Sequence, residues 1–313
     1  MREKIAENIP LAPYTIYKIG GPARFFAEIK NLDELEKTLE FASQKQMPFF
    51  ILGAGSNILI SDRGFAGLVV RITGGDLKID SLRLVVDAGV SMPRLAAETA
   101  KAGLTGFEWA IGIPGTVGGS VRGNAGCFGG EMKDAIETVA FFDDEAAIQQ
   151  YNNSACKFGY RDSIFKKHPQ WVILRATLRL KKGNSEEIQN RIKNITLHRS
   201  QKQDIGVKSC GCIFKNVPWD RKDIDKEALL RDFPDLERFY KQQNIPASYL
   251  IDWSYLKGRR VGRVFVSPKH ANYFVNEGGA TAEEVIMLIS LVKDAVKRKF
   301  GIILEEEIQY VGF

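Results

Sequence analysis

The sequence predicts an α+β protein with more than one domain. Runs rich in β-branched and aromatic residues, which are typical of strands, alternate along its 313 residues with amphipathic patterns that are typical of helices. This length allows two or more domains of roughly 100–200 residues each. Glycine is the third observation, because ten of the 29 glycines lie between Gly103 and Gly130. In such a segment the chain turns repeatedly or approaches a ligand closely.

The N-terminal segment predicts a βαβ unit. Strand-like runs at 25–29 (FFAEI) and 49–52 (FFIL) flank a helical pattern, NLDELEKTLEFASQKQ, that starts at Asn31. Asn31 and Glu34 have the spacing of a capping box, so we expect the helix to begin there. Three further short runs, at 58–60, 67–72 and 82–89, have the spacing of a β-meander.

Helices and strands are also predicted on both sides of the glycine cluster. A helix is expected from about Ser91 to Lys101, with Gly103 just beyond its C-terminus. After the cluster, strands are expected at 138–144 and 171–181. The run 185–201 (SEEIQNRIKNITLHRSQ) then predicts a helix capped by its first residue, a serine.

The C-terminal third begins with residues 219–246, which we call the charged segment. Its many charges and few apolar positions predict a surface helix or an insertion, and a solvated face without a functional role is the simpler interpretation. Strands are expected at 261–267 and 272–276. A helix should follow, beginning at a capping box on Thr281 and ending at Gly301.

The last run, 301–313 (GIILEEEIQYVGF), predicts a strand that carries three consecutive glutamates. Side chains alternate between the two faces of a strand, so Glu305 and Glu307 are expected on one face and Glu306 on the other. At least one of these carboxylates should therefore point inward.

Composition excludes several classes of protein. With 44% hydrophobic and 26% charged residues, the chain is not disordered, collagen-like or a disulfide-rich miniprotein. Its net charge of +6 suits anionic ligands such as nucleotides but falls short of a dedicated nucleic-acid binder. Four cysteines and three histidines are too few and too scattered to indicate a metal site or a disulfide framework.

The sequence gives no sign of export or membrane insertion. The N-terminus lacks the apolar core of a signal peptide, and no stretch of about 18 apolar residues occurs. A cytoplasmic protein is therefore expected, without nucleic-acid partners and as a monomer.

Two glycine-rich loops have the composition of phosphate-binding sites. In LGAGSN (52–57) a strand ends in a turn of small residues, whose backbone N–H groups can bind an anion; a plain tight turn is the alternative. In IGIPGTVGG (111–119) a short helix is expected to start at the proline, and the N–H groups at a helix N-terminus attract a pyrophosphate. A glycine-packed crossing of two elements is the alternative there.

These loops belong to a series of motifs that covers nearly the whole chain and resembles the UDP-N-acetylenolpyruvoylglucosamine reductase family. In chain order the motifs are IGGPA (19–23), LGAGSN (52–57), GIPGTVGGSV (112–121), NAG (124–126), GYRDSIF (159–165), GCIFKN (211–216) and LEEE (304–307). The resemblance implies an FAD-binding domain of the vanillyl-alcohol-oxidase type, made of two parts, followed by a smaller α+β substrate domain. It implies non-covalently bound FAD and NADPH as the reductant.

The domain boundaries implied by the resemblance are as follows. Residues 1–62 form the first FAD-binding subdomain, and residues 63–199 form the second, to which 302–313 return. Residues 200–301 form the substrate-binding domain.

The resemblance also implies a reaction. Family members reduce the enolpyruvyl ether of UDP-N-acetylglucosamine to the lactyl ether of UDP-N-acetylmuramate, a precursor of peptidoglycan. A hydride reaches C3 of this nucleotide sugar from flavin N5, and C2 receives a proton. A flavin oxidase or dehydrogenase acting on another substrate, or a flavin-binding protein without catalytic activity, are the alternatives.

Three residues are the implied catalytic groups. Arg161 and Glu307 polarise the substrate carboxylate, and Glu307 has to be protonated to act beside a negatively charged enolate; Glu305 is its rival. Family members usually carry serine where this chain has Cys212. Because a thiol has a pKa near 8.5 and gives up a proton more readily than a hydroxyl, Cys212 is the expected proton donor, with a small structural thiol as the alternative.

The remaining site residues are also carried over by the motifs. The implied cofactor-binding residues, on the two loops and the NAG motif, are Gly53, Ala54, Gly55, Ser56, Asn57, Gly112, Ile113, Pro114, Gly115, Thr116, Gly118, Gly119, Ala125 and Gly126. The implied substrate-binding residues are Tyr160, Lys215, Asn216 and His270, of which His270 also suits a purely structural role.

Overall fold

The computed structural model describes residues 5–204 and 206–313, which form two compact units. The first unit contains the residues up to Ile9, Ala23–Ala54 and Phe65–Gln201. The second unit contains Pro10–Pro22, Gly55–Gly64 and the described residues of Lys202–Phe313. No helix in the described ranges combines the length and apolarity needed to cross a bilayer.

The α-helices, in chain order, are α1 (Leu32–Gln44), α2 (Met92–Lys101), α3 (Val117–Arg122), α4 (Ile164–Lys167), α5 (Ser185–Lys202), α6 (Lys226–Asp232), α7 (Ala247–Trp253) and α8 (Ala282–Phe300). Short 3-10 helices span Ala12–Tyr14, Glu108–Ala110, Met132–Asp134 and Pro234–Gln242.

The strands, in chain order, are β1 (Ile5–Pro10), β2 (Pro22–Ile29), β3 (Phe49–Leu52), β4 (Ile58–Ile60), β5 (Phe65–Ile72), β6 (Leu77–Asp80), β7 (Arg83–Asp87), β8 (Leu104–Thr105), β9 (Gly126–Cys127), β10 (Gly130–Glu131), β11 (Ile136–Phe142), β12 (Ile148–Asn152), β13 (Val172–Arg179), β14 (Lys181–Lys182), β15 (Val217–Pro218), β16 (Asn244–Ile245), β17 (Arg260–Val261), β18 (Val264–Val266), β19 (Phe274–Asn276) and β20 (Gln309–Val311).

The first unit opens with the predicted βαβ unit. Strands β2 and β3 both pair in parallel with β5, in the sheet order β1-β2-β5-β3. The helix α1 between them begins at the predicted cap, because Asn31 Oδ1 accepts the Glu34 N–H at 2.9 Å. Leu35 and Ala42 on α1 are buried against Leu68 and Val70 of β5.

The rest of the first unit is built on an antiparallel sheet. Its strand order is β12-β11-β13-β7-β6. Aromatic side chains fill its core, where the rings of Phe141 and Phe165 lie 5.2 Å apart and those of Phe107 and Trp109 lie 5.1 Å apart. Gly103, at φ +69°, follows α2 in the left-handed conformation that favours glycine, as predicted.

The second unit packs helices α7 and α8 against short strands. Its antiparallel sheet has the order β17-β18-β19, and β20 pairs in parallel with β4. Helix α8 has the predicted capping box, in which Thr281 and Glu284 exchange side chain to backbone hydrogen bonds of 3.1 Å. It ends at Gly301, whose φ of +72° confirms the expected glycine terminator.

Two local predictions differ from the structure. Helix α5 is capped by Asn184 rather than Ser185, because Asn184 Oδ1 accepts the N–H groups of Glu186 and Glu187. The final strand covers only Gln309–Val311, since β4 offers just three residues for pairing. The glutamates at 305–307 therefore precede this strand.

The charged segment is only partly solvated. It forms α6, the 3-10 helix Pro234–Gln242 and the short strand β16. Four of its residues, Trp219, Leu229, Leu236 and Ile245, are buried in the core of the second unit. A wholly solvated face is therefore ruled out, because the apolar positions anchor the segment.

The two units also differ from the predicted segmentation. Residues 302–313 group with the second unit, because β20 pairs with β4. The assignment of cofactor and substrate roles to the segments stays a prediction.

Candidate active site

The first glycine loop connects β3 to β4 and leaves no room for a side chain at two of its glycines. Gly55 has a φ of +62°, and a Cβ added to it would lie 2.5 Å from the carbonyl oxygen of Tyr14. A Cβ added to Gly53 would lie 2.6 Å from Thr116 Oγ1. The last contact brings the first loop against the second, within the first unit.

The helix in the second loop begins later in the chain than predicted. Helix α3 begins after Thr116, not at Pro114, because Thr116 Oγ1 accepts the Gly119 N–H. The N–H groups of Val117 and Gly118 donate to Val90 and Ala88 carbonyls at 2.9 Å. The first donors of the helix are thus used inside the protein, so binding of an anion would depend on the residues before it.

Packing explains part of the glycine cluster. A Cβ on Gly118 would lie 2.9 Å from the Cβ of Ala88, and a Cβ on Gly130 would lie 2.2 Å from the ring of Trp109. At Gly118 the structure has the glycine-packed crossing that was the alternative for the second loop, and Gly130 is a close packing position outside that loop. Gly112 differs, since it has a φ of +72° and its nearest neighbour is the guanidinium of Arg199, 3.4 Å from an added Cβ.

A cleft in the first unit opens where β2 and β5 end. Ile29 and Ile72, the last residues of these two parallel strands, line it, together with Ala88 and Gly89 beside Gly118. In open α/β sheets, ligands bind beyond the carboxyl ends of the strands. Sequence reasoning missed this cleft, although the Thr73-Gly74-Gly75 run directly after β5 was a signal for it.

Arg161 is held in a tight turn. Gly159 and Asp162 exchange backbone hydrogen bonds of 2.9 and 3.3 Å across it, and Arg161 has a φ of +55°. The guanidinium donates from Nη2 to the carbonyl of Gly126 at 2.7 Å and lies 5.1 Å from the ring centroid of Tyr160. The predicted residues Tyr160, Arg161 and Gly126 therefore lie together.

Asn124 links this turn to the segment around Glu131 and Lys133. It is fully buried, and its Nδ2 donates to the carbonyl of Gly159 at 2.8 Å and to Glu131 at 3.0 Å. Its Oδ1 accepts the N–H of Lys133 at 3.0 Å. The NAG motif contained this asparagine, but the long-range partners that define its role were not visible in the sequence.

In the second unit, the Cys212 segment runs antiparallel to the glutamate run. The Glu307 N–H donates to the carbonyl of Ile213 at 2.7 Å, and the Lys215 N–H donates to the carbonyl of Glu305 at 2.9 Å. Cys212 itself pairs with Tyr273 on its other side. The predicted donor Cys212 and the predicted acid Glu307 are thereby placed on adjacent backbone segments.

The electrostatics of Cys210 indicate the same proximity. Burial raises the pKa of its thiol, and negative charge on Cys212 and Glu307 raises it further. Cys210 is 1% exposed, whereas Cys212 is half-buried, and neither forms a disulfide. The chain bends between them at Gly211, which has a φ of +81°.

The three glutamates have different surroundings. Glu305 is exposed and faces two cations, Lys215 at 3.6 Å and Arg221 at 3.9 Å. Glu306 pairs with Lys293 at 2.8 Å. Glu307 is half-buried, and its carbonyl accepts a hydrogen bond of 3.3 Å from Asn57, a residue of the first loop within the same unit.

The predicted substrate residues of the second unit flank this segment. Asn216 Oδ1 accepts the N–H of Ala247 at the start of α7, at 3.1 Å. The ring of His270 lies 4.4 Å from that of Tyr273, the partner of Cys212. Burial lowers the pKa of His270, and its Nδ1 has no hydrogen-bond partner in residues 5–204 and 206–313.

Family models match both parts of the chain. Residues 23–150 match the model described as FAD binding domain. Residues 201–311 match the model described as UDP-N-acetylenolpyruvoylglucosamine reductase, C-terminal domain. These two matches confirm the predicted order of an FAD-binding domain followed by a C-terminal domain of that family.

Several proteins named UDP-N-acetylenolpyruvoylglucosamine reductase are similar over almost the full length. The one from Caldanaerobacter subterraneus subsp. tengcongensis is 36% identical, covering 99% of this chain and 94% of that protein. The one from Rubrobacter xylanophilus is 37% identical, covering 97% and 94%. The crystal structure of the Thermus caldophilus reductase superposes with a TM-score of 0.76 at 34% identity, covering 98% of each chain. The chain therefore belongs to the UDP-N-acetylenolpyruvoylglucosamine reductase family of oxidoreductases.

Proposed function

We propose that this chain reduces the enolpyruvyl ether of UDP-N-acetylglucosamine to UDP-N-acetylmuramate for peptidoglycan synthesis, with FAD as cofactor and NADPH as reductant. The observation that carries the proposal is the pairing of the Cys212 segment with the glutamate run. In this pairing the backbone N–H of Glu307 donates to the backbone carbonyl of Ile213 at 2.7 Å. This pairing places the segments that carry Cys212 and Glu307 side by side, in a chain whose relatives are similar over almost their full length.

The first unit has features that fit FAD. The Gly53 backbone lies so close to Thr116 that a methyl group would collide with it, and Gly112 offers a left-handed backbone beside the Arg199 guanidinium. When bound, FAD supplies the hydride that the reaction adds to C3 of the substrate.

Arg161 would stabilise the charge that develops on the substrate carboxylate. Its guanidinium is fixed by the Gly126 carbonyl and the Tyr160 ring, so little reorganisation is needed when the charge forms. Charges that are aligned before the reaction stabilise a transition state more than mobile ones do.

Cys212 would give its proton to C2. It is half-buried, on a backbone segment that is hydrogen-bonded to the Glu307 segment, and a thiol is a competent general acid near neutral pH. Protonated Glu307 would donate a hydrogen bond to the enolate oxygen, which a carboxylate is unable to do. Glu305 is less suited to this role, because it is exposed and faces Lys215 and Arg221.

An anaerobic titration tests the proposal against its alternatives. The purified holoenzyme should show the yellow spectrum of FAD, lose it when NADPH is added, and regain it when the UDP-enolpyruvyl sugar is added. Bleaching without recovery would point to a flavin oxidase or dehydrogenase with another substrate. No bleaching at all would point to a flavin-binding protein without this activity.

A further inference from the structure

Four charged side chains connect the charged segment to the glutamate run in the second unit. Arg221 binds Asp223 through two hydrogen bonds of 2.6 and 2.8 Å. Its Nη1 lies 3.9 Å from Glu305 Oε1, while Lys215 Nζ lies 3.6 Å from Glu305 Oε2. Glu305 therefore lies between two cations, one of which, Lys215, is a predicted substrate ligand.

Arg221 is the fixed member of this group. Its side chain is 17% exposed, against 59% for Glu305 and 31% for Lys215. The bidentate bond to Asp223 restricts the guanidinium to one plane. The N–H of Arg221 also donates to the Pro218 carbonyl at 3.3 Å, and its carbonyl accepts the Ile224 N–H at 3.0 Å.

Neither cation holds Glu305 at hydrogen-bond distance. Ammonium to carboxylate hydrogen bonds are typically about 2.7–2.9 Å long, and both distances here are longer. The backbone N–H of Lys215 donates to the Glu305 carbonyl, so the Cα atoms that carry the two side chains are held next to each other. In the described part of the chain, Lys215 and Arg221 are the ion-pair partners of Glu305.

We propose that Arg221 is a positioning residue for substrate binding: it shares the Glu305 carboxylate with Lys215, so that this carboxylate does not close fully onto the Lys215 ammonium, which stays available to the substrate diphosphate. This inference rests on the proposed function, since it needs a substrate with a diphosphate. Without Arg221, Glu305 has Lys215 as its remaining partner and closes onto it. The substrate diphosphate then has to displace a carboxylate.

Binding of UDP-N-acetylglucosamine to the holoenzyme, measured by calorimetry, tests the proposal. R221Q should raise the Kd about two- to fivefold, the range expected for exposed ion pairs. The same variant should raise KM for the enolpyruvyl substrate while kcat stays unchanged. E305Q should bind at least as tightly as the wild type, because it removes the competitor for Lys215.

The double variant R221Q/E305Q is decisive. If Arg221 acts through Glu305, R221Q has no further effect once Glu305 is neutral. An equal loss of affinity in both backgrounds would overturn the proposal, because Arg221 would then contact the ligand or support the fold directly. Weaker binding by E305Q alone would overturn it as well.

Control variants separate this inference from the proposed function. Arg231 lies in the same charged segment, is 73% exposed and pairs with its neighbour Asp232, so R231Q should bind like the wild type. A Kd raised equally by R231Q would overturn the role of Arg221. R221K should restore part of the lost affinity, and FAD content reports whether each variant is folded. Binding in the wild type with no change in R221Q would overturn only this inference, whereas no binding in the wild type would overturn the proposed function too.

Discussion

Cys212 is the residue whose chemistry most distinguishes this chain from the usual family motif. A thiol in the place of a hydroxyl changes the acidity of the proposed donor without removing its proton. C212A should lower kcat about 10²- to 10⁴-fold, the usual contribution of a general acid, while C212S should keep measurable activity. The rate at which reduced enzyme is reoxidised by the enolpyruvyl substrate measures this step directly.

A buried cysteine in the first unit provides the control for that experiment. Cys156 lies in the first unit with its side chain fully buried. C156A should therefore leave the reoxidation rate unchanged, provided that FAD content stays the same. If C212A reoxidised as fast as C156A, Cys212 would be a structural thiol only.

The proposed donor should also be a site of oxidation. Peroxide transfers one oxygen to the Cys212 sulfur, which forms a sulfenic acid, and the Cys210 thiol condenses with it to a disulfide and water. The bend at Gly211, with φ +81°, turns the chain between the two thiols. Peroxide should inactivate the wild type, with recovery by dithiothreitol, and C212S should resist.

Equal loss of activity in the wild type and C212S would contradict that prediction. C210S offers an internal comparison. Its Cys212 remains open to oxidation but has no neighbouring thiol, so its inactivation should become less reversible, because sulfinic acid forms instead of the disulfide.

His270 should make stability depend on pH. Burial lowers its pKa, and among the charges around it Asp204 opposes this shift while Lys257 adds to it. In the unfolded chain a histidine has a pKa near 6.5. Below about pH 6.5 the unfolded state therefore binds a proton that the folded state does not, and the free energy of unfolding falls as the pH is lowered.

Urea unfolding at pH 7.5 and pH 5.5 measures this effect. H270Q removes the titration, so its loss of stability between the two pH values should be smaller than that of the wild type. An identical loss in both proteins would mean that other groups carry the whole pH dependence.

At the scale of elements, the two glycine loops depend on one close contact. G53A places a methyl group 2.6 Å from Thr116 Oγ1, so one of the loops has to move. Weaker binding of FAD is the expected result, measured as a higher Kd by flavin fluorescence. T116A removes the oxygen and should relieve part of this loss in the double variant G53A/T116A.

Gly123 is the matched control for Gly53. It has a φ of −93°, and a Cβ added there would meet its nearest atom at 3.5 Å, an ordinary contact. G123A should therefore bind FAD like the wild type. If G53A did so as well, the contact with Thr116 would not matter for the cofactor.

Local rules predicted the elements that depend on neighbours in sequence. Asn31 caps α1, and Thr281 with Glu284 caps α8, because those contacts span only three residues. The last strand was predicted too long, because its length depends on β4, some 250 residues earlier in the chain.

The residues of the candidate site likewise fall into those that local motifs predict and those that depend on contacts between distant parts of the chain. Arg161, Cys212 and Glu307 were named from short motifs, since each motif contains its own residue. Arg221 was missed because its link to Glu305 connects residues far apart in sequence. Such pairings follow from tertiary packing, which no local pattern encodes.

At the scale of the whole molecule, charge should govern how fast the substrate arrives. The chain has a net charge of +6, and the proposed substrate and reductant are both anionic diphosphates. Opposite charges raise association rates, and salt reduces this effect because the Debye length falls from about 30 Å at 0.01 M to about 8 Å at 0.15 M. Raising the salt across this range should lower kcat/KM several-fold and leave kcat at saturation unchanged. A series in sucrose at constant salt controls for viscosity, and a kcat/KM that is independent of salt would show that the positive charge does not steer the substrate.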